Sequence, residues 1–258
     1  MRVRGATLLV AASLLQWAGA CAQTAGAAQR SGFDTMSPRI QAMQRDDQQN
    51  PGMLWVADGE ALWNKPVGAS ATCAHCHGDA RTSMRGVAAR YPDWDTIDKK
   101  PVDLAQRINL CRTRHQQAPP LPPESAELLG FEAYVAHQSR GMPLVPSSAR
   151  ELDAPRARGR QLWDQRVGQL NLSCALCHDQ LPGRLLAGSA IPQGHVNGYP
   201  TYRLEWQGMG SLQRRIRNCL SGVRAEPPPF NATEMVELEL YLAQRSAGMK
   251  VEAPAVRP

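Results

Sequence analysis

Two stretches of the chain place apolar residues at helical spacing, about a hundred positions apart. From Ser125 to Ser139 the apolar set is Leu128, Leu129, Phe131, Tyr134 and Val135; from Ala232 to Arg245 it is the broader stripe Met235, Val236, Leu238, Leu240 and Leu242. Ser125 and Asn231 stand where N-caps belong, with Glu234 three positions after Asn231. A shorter pattern, Gly59-Glu-Ala-Leu-Trp63, predicts a helix carrying an aromatic ring toward a core, and it returns as Gly159-Arg-Gln-Leu-Trp163. No strand signal competes, so the pattern predicts an all-α chain. Residues 23–45 are rich in Ala, Gln, Gly and Ser with little periodicity, which predicts a poorly ordered lead-in; structured chain is expected after Asn50-Pro51.

The similarity continues in register. Tyr91-Pro92 matches Tyr199-Pro200, Leu104 to Cys111 matches Leu212 to Cys219, and Tyr134 to Met142 matches Tyr241 to Met249. A period near a hundred residues implies two whole domains related by an internal repeat, residues 46–146 and 147–252, with a tail over 253–258. The linker Pro143-Leu-Val-Pro-Ser-Ser, followed by Pro155, has a composition that stops helices. Each half reads as an opening helix, a loop, irregular chain, a short helix ending at a cysteine, and a closing helix.

The N-terminus changes the picture of where the chain works. Met1-Arg-Val-Arg4, the apolar run from Ala6 to Leu15 and the small residues around Ala18-Gly-Ala-Cys-Ala22 make a secretory signal over residues 1–22, too short to span a bilayer. The alternative is a lipoprotein acylated at Cys21, against which stands the small Ala18 three positions earlier. No later segment is apolar enough to cross a membrane, so a periplasmic protein is expected. The formal charge of +6 falls to +4 when Arg2 and Arg4 are removed. With no basic run interleaved with aromatics, nucleic acid is not the expected partner. Only 5% of residues are aromatic, a shortage that a large flat cofactor can make good.

Seven cysteines in an exported chain would ordinarily suggest disulfides. Apart from Cys21, however, they form two equivalent sets, Cys73, Cys76 and Cys111, then Cys174, Cys177 and Cys219. Cys73-Ala-His-Cys-His77 and Cys174-Ala-Leu-Cys-His178 are c-type haem attachment motifs: two cysteines on a tight turn add to the porphyrin vinyl groups, and the following histidine, His77 or His178, becomes the proximal iron ligand. A zinc ribbon would need its cysteine pairs far closer in sequence. His75, His115, His137 and His195 read as surface residues.

Cys111 and Cys219 follow their haem motifs and precede the closing helices, the stretch from which a small cytochrome c presents its distal ligand. Met142 and Met249 come after those helices, Met84 is too near its motif, and Met209 has no counterpart. An inter-domain Cys111–Cys219 disulfide and a pair of buried free thiols remain as alternatives. Arg107 and Arg215 each lie four residues before their cysteine, so on a helix guanidinium and sulfur share a face, which favours thiolate. Arg214, Arg215, Arg217 and Arg224 surround Cys219, against Arg107, Arg112 and Arg114 around Cys111; such a cluster suits an oxyanion substrate, although some members could only neutralise haem propionates.

The segment Met43-Gln-Arg-Asp-Asp-Gln-Gln-Asn-Pro-Gly-Met-Leu-Trp55, the Gly59–Trp63 pattern, Gln106-Arg-Ile-Asn-Leu-Cys-Arg112, and Arg215-Ile-Arg-Asn-Cys219 continuing to Arg224-Ala-Glu-Pro227 resemble the SoxA family, dihaem cytochrome subunits of the SoxAX enzymes of bacterial thiosulfate oxidation. The resemblance covers roughly residues 40–250 and implies two class I cytochrome c-like domains with two covalently attached haems c. It implies axial ligands His77 and Cys111 for the first haem and His178 and Cys219 for the second, with Cys219, often a persulfide in this family, as the active-site residue and Arg215 positioning substrate. The implied reaction, an L-cysteine S-thiosulfotransferase activity, joins thiosulfate oxidatively to a cysteine of the carrier SoxYZ, with the monohaem SoxX as partner and a soluble cytochrome c as electron acceptor. The rival expectation is a dihaem electron shuttle with no substrate site of its own.

Overall fold

The computed structural model describes residues 28–68 and 71–258. The expected signal segment and Cys21 lie outside the described residues. In chain order the helices are α1 (Pro38–Arg45), α2 (Met53–Trp63), α3 (Cys73–His77), α4 (Ala80–Ser83), α5 (Leu104–His115), α6 (Ala126–His137), α7 (Asp153–Asp164), α8 (Cys174–His178), α9 (Leu212–Gly222) and α10 (Thr233–Arg245). Among the described residues none is long and apolar enough to cross a membrane.

Two helix pairs carry the core. The amphipathic stripes recognised in the sequence form α6 and α10, and the Gly-x-x-x-Trp patterns lie at the ends of α2 and α7. Helix α2 lies on α6 and α7 on α10, each crossing at a glycine. A Cβ on Gly59 would sit 2.1 Å from the Gly130 carbonyl oxygen, and one on Gly159 1.9 Å from that of Glu237, so only hydrogen fits between the backbones. One turn further on, Trp63 and Trp163 are buried against Tyr134 and Tyr241 at ring separations of 5.9 Å in both cases. Around them cluster Val56, Leu129 and Ala133 in the first pair, and Ile216, Met235, Leu238 and Leu242 in the second.

The chain is not exclusively helical. Strand β1 (Asp93–Asp95) pairs with β2 (Lys100–Val102), β3 (Leu185–Leu186) with β4 (Ser189–Ala190), and β5 (Thr201–Arg203) with β6 (Gly208–Gly210). Strands of two or three residues carry no readable alternation, which is why hydropathy predicted none. The tail expected after 252 is also ordered: β7 (Ala255–Arg257) runs parallel to β5. Residues 32–45, expected as a poorly ordered lead-in, form a short 3-10 turn and α1, capped by Ser31 and Ser37. Buried Gln44 at the end of α1 accepts the Val256 N–H at 3.0 Å and so ties this segment to β7. Here hydrogen bonds over long sequence separation override a composition with little apolar content.

Other expectations need correction. Ser125 caps α6 as expected, but the residue before α10 is Ala232, which has no side chain to cap with; Asn231 is left-handed at φ 65° and donates its N–H to Gln213 at 2.8 Å. The short helices do not end at their cysteines: α5 and α9 continue past Cys111 and Cys219. Pro155 does not stop a helix; it occupies the first turn of α7, where no backbone donor is needed. His137 and His195 are half-buried rather than on the surface.

The two halves meet around a cavity of about 110 Å3 lined by Asp103, Glu132, Gln213, Asn231 and Glu239. Asp103 is the N-cap of α5 and accepts the side-chain amide of Gln213, near the start of α9, at 2.8 Å. One buried hydrogen bond therefore registers the two cysteine-bearing helices at their N-terminal ends. Met209 of β6 and Tyr202 of β5 pack into the core of the first pair, Tyr202 at 5.8 Å from Trp55, so neither half is complete alone.

Two outcomes follow from this packing. Gly159→Ala should destabilise the protein by roughly 2–4 kcal/mol, read as a lower melting temperature, because a methyl group there must push α7 off α10. Burial pushes the Asp103 carboxyl up to about 6 from an ordinary 3.8, so the folded state holds this proton more tightly than the unfolded chain. Its stabilising contribution is complete below about pH 4 and is lost as pH rises through about 6. Asp103→Asn keeps the acceptor for the Gln106 N–H, gives up the one for the Gln213 amide at every pH, and removes the titration of this residue. Relative to the native protein it should gain up to about 3 kcal/mol between about pH 4 and pH 8, measured by denaturation at both ends of the range.

Candidate functional site

Each Cys-x-x-Cys-His segment forms a single helical turn. Thr72 and Ser173 cap the two turns, accepting the N–H of His75 at 2.8 Å and of Leu176 at 3.3 Å. Residues three apart on such a turn share a face, so Cys73 and Cys76, and likewise Cys174 and Cys177, point their sulfurs the same way. The core tryptophans then back the histidines. Trp63 lies 5.7 Å from the His77 ring and donates to the Gly78 carbonyl, while Trp163 lies 5.5 Å from His178 and donates to Asp179.

His178 is the better-fixed imidazole. Its Nδ1 sits 2.6 Å from the Pro192 carbonyl oxygen, which can only accept, so the proton is on Nδ1 and Nε2 keeps its lone pair. Burial, reinforced by the charges of Arg215 and Arg245, holds the ring below the ordinary histidine range and therefore neutral. A neutral imidazole oriented through its far nitrogen, one residue after a pair of cysteines on one face, fits the donor set of a covalently attached haem.

The expected distal cysteines lie with their own motifs. Cys111 is close enough to Cys73 and Cys76 for the three to influence one another electrostatically, and Cys219 stands in the same relation to Cys174. Burial and then the charge of Cys219 push the Cys174 thiol up to about 11. All six described cysteines are free, so the structure contains no Cys111–Cys219 disulfide. Cys219 is exposed and Cys111 half-buried. The arginine beside Cys111 has less effect than its spacing suggested: burial pushes that thiol up, and Arg107 and Arg114 offset only part of the rise. Met209 is fully buried in the first core, away from any role as a ligand.

The arginines divide sharply. Around the first set, Arg107 and Arg114 each lie 2.8 Å from Asp95, a buried carboxylate held far below its ordinary range mainly by the bonds from Arg114, and Arg112 donates to the Pro119 carbonyl. Around the second, Arg214 stacks 4.0 Å over Trp206 and reaches Glu124, and Arg217 donates to the Pro227 and Pro228 carbonyls and lies over Phe230. Arg224 is exposed in a left-handed turn after α9. Arg215, on the same face of α9 as Cys219, has no carboxylate within ion-pairing distance among the described residues. Thus one guanidinium of the four is both on the face of the sulfur and uncommitted, an arrangement suited to holding an oxyanion next to Cys219.

Residues that the sequence reading missed are Asp95, Pro192, Arg203 and Trp206. A usable signal existed for Asp95 and Arg203. Tyr91 precedes Cys111, and Tyr199 precedes Cys219, by twenty positions, so each residue four after the tyrosine could have been placed near its site.

Comparison with known proteins gives a consistent result. The family described as "SoxA/TsdA, cytochrome c domain" matches residues 58–144 and again 158–251. The chain is 38% identical to the L-cysteine S-thiosulfotransferase subunit SoxA of Pseudaminobacter salicylatoxidans, over 88% of this chain and 80% of that protein. It is 35% identical to the protein of the same name from Rhodovulum sulfidophilum with the same coverages. The crystal structure of SoxXA from P. pantotrophus superposes with a TM-score of 0.86 at 31% identity, covering 89% of this chain and 87% of that one.

Proposed function

The chain belongs to the SoxA/TsdA cytochrome c family, and from that premise we propose that it is the haem-bearing subunit that couples thiosulfate to a protein cysteine. In this reading residues 46–146 and 147–252 are two tandem cytochrome c-like domains related by an internal repeat, exported to the periplasm. Each carries one haem c, joined through Cys73 and Cys76 or through Cys174 and Cys177. His77 and Cys111 would hold the iron of the first haem, His178 and Cys219 that of the second.

The observation that carries the proposal is the pairing of exposed Cys219 with the uncommitted guanidinium of Arg215, beside Cys174 and the oriented His178. The overall reaction takes one thiosulfate dianion and one thiol of the carrier SoxYZ to a cysteine S-thiosulfonate, one proton and two electrons. Arg215 binds the sulfonate oxygens and turns the outer sulfur toward Cys219. Cys219, as thiolate or persulfide, would bond to the outer sulfur of thiosulfate as the two electrons leave; the carrier thiol would then attack that outer sulfur, losing its proton and breaking the bond to Cys219, whose sulfur departs as it began. When bound, haem c would supply one-electron redox chemistry at this site, so the two electrons would leave one after the other, to SoxX and then to a soluble cytochrome c.

Cys219→Met should leave haem covalently attached, visible in the absorption spectrum, and abolish thiosulfate-dependent reduction of cytochrome c; turnover near the native rate would refute the assignment. Arg215→Gln separates this reading from an electron shuttle. For the enzyme kcat/KM should fall on the order of 100-fold or more, whereas for a shuttle electron exchange with an artificial donor and thiosulfate response should change together and little. The intact mass of the exported protein counts haems directly, and two are expected.

A further inference from the structure

The two sets of cysteines sit in matching scaffolds that differ in the charge of one residue. On each side a Tyr-Pro pair leads into a strand of an antiparallel pair, a capping residue follows the second strand, and the helix then presents arginine and cysteine four apart. Asp95 is the last residue of β1, opposite Lys100; Arg203 is the last residue of β5, opposite Gly208. The first site therefore brings its own carboxylate to the helix arginine, at 2.8 Å from Arg107. At the matching position the second site has another guanidinium.

Arg203 is built into that place. Its side chain is only 13% exposed, its Nε donates to Glu205 at 2.9 Å, and its guanidinium lies 5.1 Å from the centre of the Trp206 ring, whose other neighbour is Arg214. Burial, and next the charge of Arg215, hold Arg203 below the ordinary arginine range. Burial raises the Tyr199 hydroxyl above its ordinary range, and the charges of Arg215, Cys219 and Arg203 all reach it. Two guanidiniums held near each other, with one half-exposed carboxylate on the Nε of Arg203, cost free energy that a bound anion recovers.

Resting on the reading of this site as a thiosulfate site, we propose that Arg203 is a second positioning residue for the substrate, sharing the sulfonate oxygens with Arg215. Asp95 is then the chain's internal counterpart of that anion beside Cys111, which explains why only the second site would accept substrate.

The test uses the haem-loaded complex with its partner subunit. Thiosulfate-dependent cytochrome c reduction is measured over a range of thiosulfate concentrations, and thiosulfate binding is measured directly by calorimetry. Arg203→Gln should raise both KM and Kd roughly tenfold or more while kcat at saturation moves far less, with the haem spectrum unchanged. Arg203→Lys, which keeps the charge and loses the fork, should raise them by a smaller factor and serves alone if the Gln variant does not fold. Glu205→Gln removes the ion pair but keeps Arg203, and should leave KM unchanged or lower. Unchanged KM and Kd in the Arg203 variants overturn the inference, as does a Glu205→Gln rise equal to that of Arg203→Gln. A native complex that neither binds nor oxidises thiosulfate instead overturns the functional reading beneath it.

Discussion

An arginine and a cysteine four residues apart on one helix have to share a face, and the rest of this structure serves that constraint twice. Helices α5 and α9 are short, polar and poorly suited to stand alone, so their position is imposed from outside. A strand pair fixes each N-terminus, and the Asp103–Gln213 hydrogen bond registers the two N-termini against each other. Once both helices are placed, each sulfur is carried to its own Cys-x-x-Cys-His turn, and the disposition of charge around it becomes the variable on which chemistry depends.

The histidine side of each site is set by a different device. Gly59 and Gly159 let the opening helices approach the closing helices to backbone contact, which brings Trp63 and Trp163 under the rings of His77 and His178. Close packing at the glycine and a rigid aromatic one turn away convert helix position into ring position. The second histidine has an additional tie, Nδ1 to the Pro192 carbonyl, from the irregular chain that follows its motif. That tie fixes which nitrogen keeps its lone pair, a matter that the motif alone leaves open.

Between the halves, burial of Asp103, Glu132 and Glu239 around a small polar cavity carries a cost of its own. All three carboxyls are pushed upward, chiefly by loss of water. The arrangement persists because Asp103 is hydrogen-bonded to the Gln106 N–H and to Gln213, two of the groups that hold the helices in register. Asp95 shows the opposite solution: an equally buried carboxylate kept ionised by two guanidiniums. The same residue type thus acts as a shared, proton-holding hinge at the centre and as a fixed counter-ion at one site.

Local sequence was enough to place the four core helices and to put Arg107 with Cys111, and Arg215 with Cys219, on one helix face. These depend on residues within one or two turns of each other, where covalent geometry and helical spacing leave few choices. Which arginines stay free is settled only when the chain folds. Arg214 and Arg217 lie within five residues of Cys219 in sequence, as Arg215 does, yet Trp206, Glu124 and the Pro227 and Pro228 carbonyls engage them. Folding also decides that residues 32–45 and the last strand are ordered, since Gln44 finds its partner more than two hundred positions away. Long-range partners of this kind leave no local periodicity, so the charge that is left over at a site is a property of the folded chain.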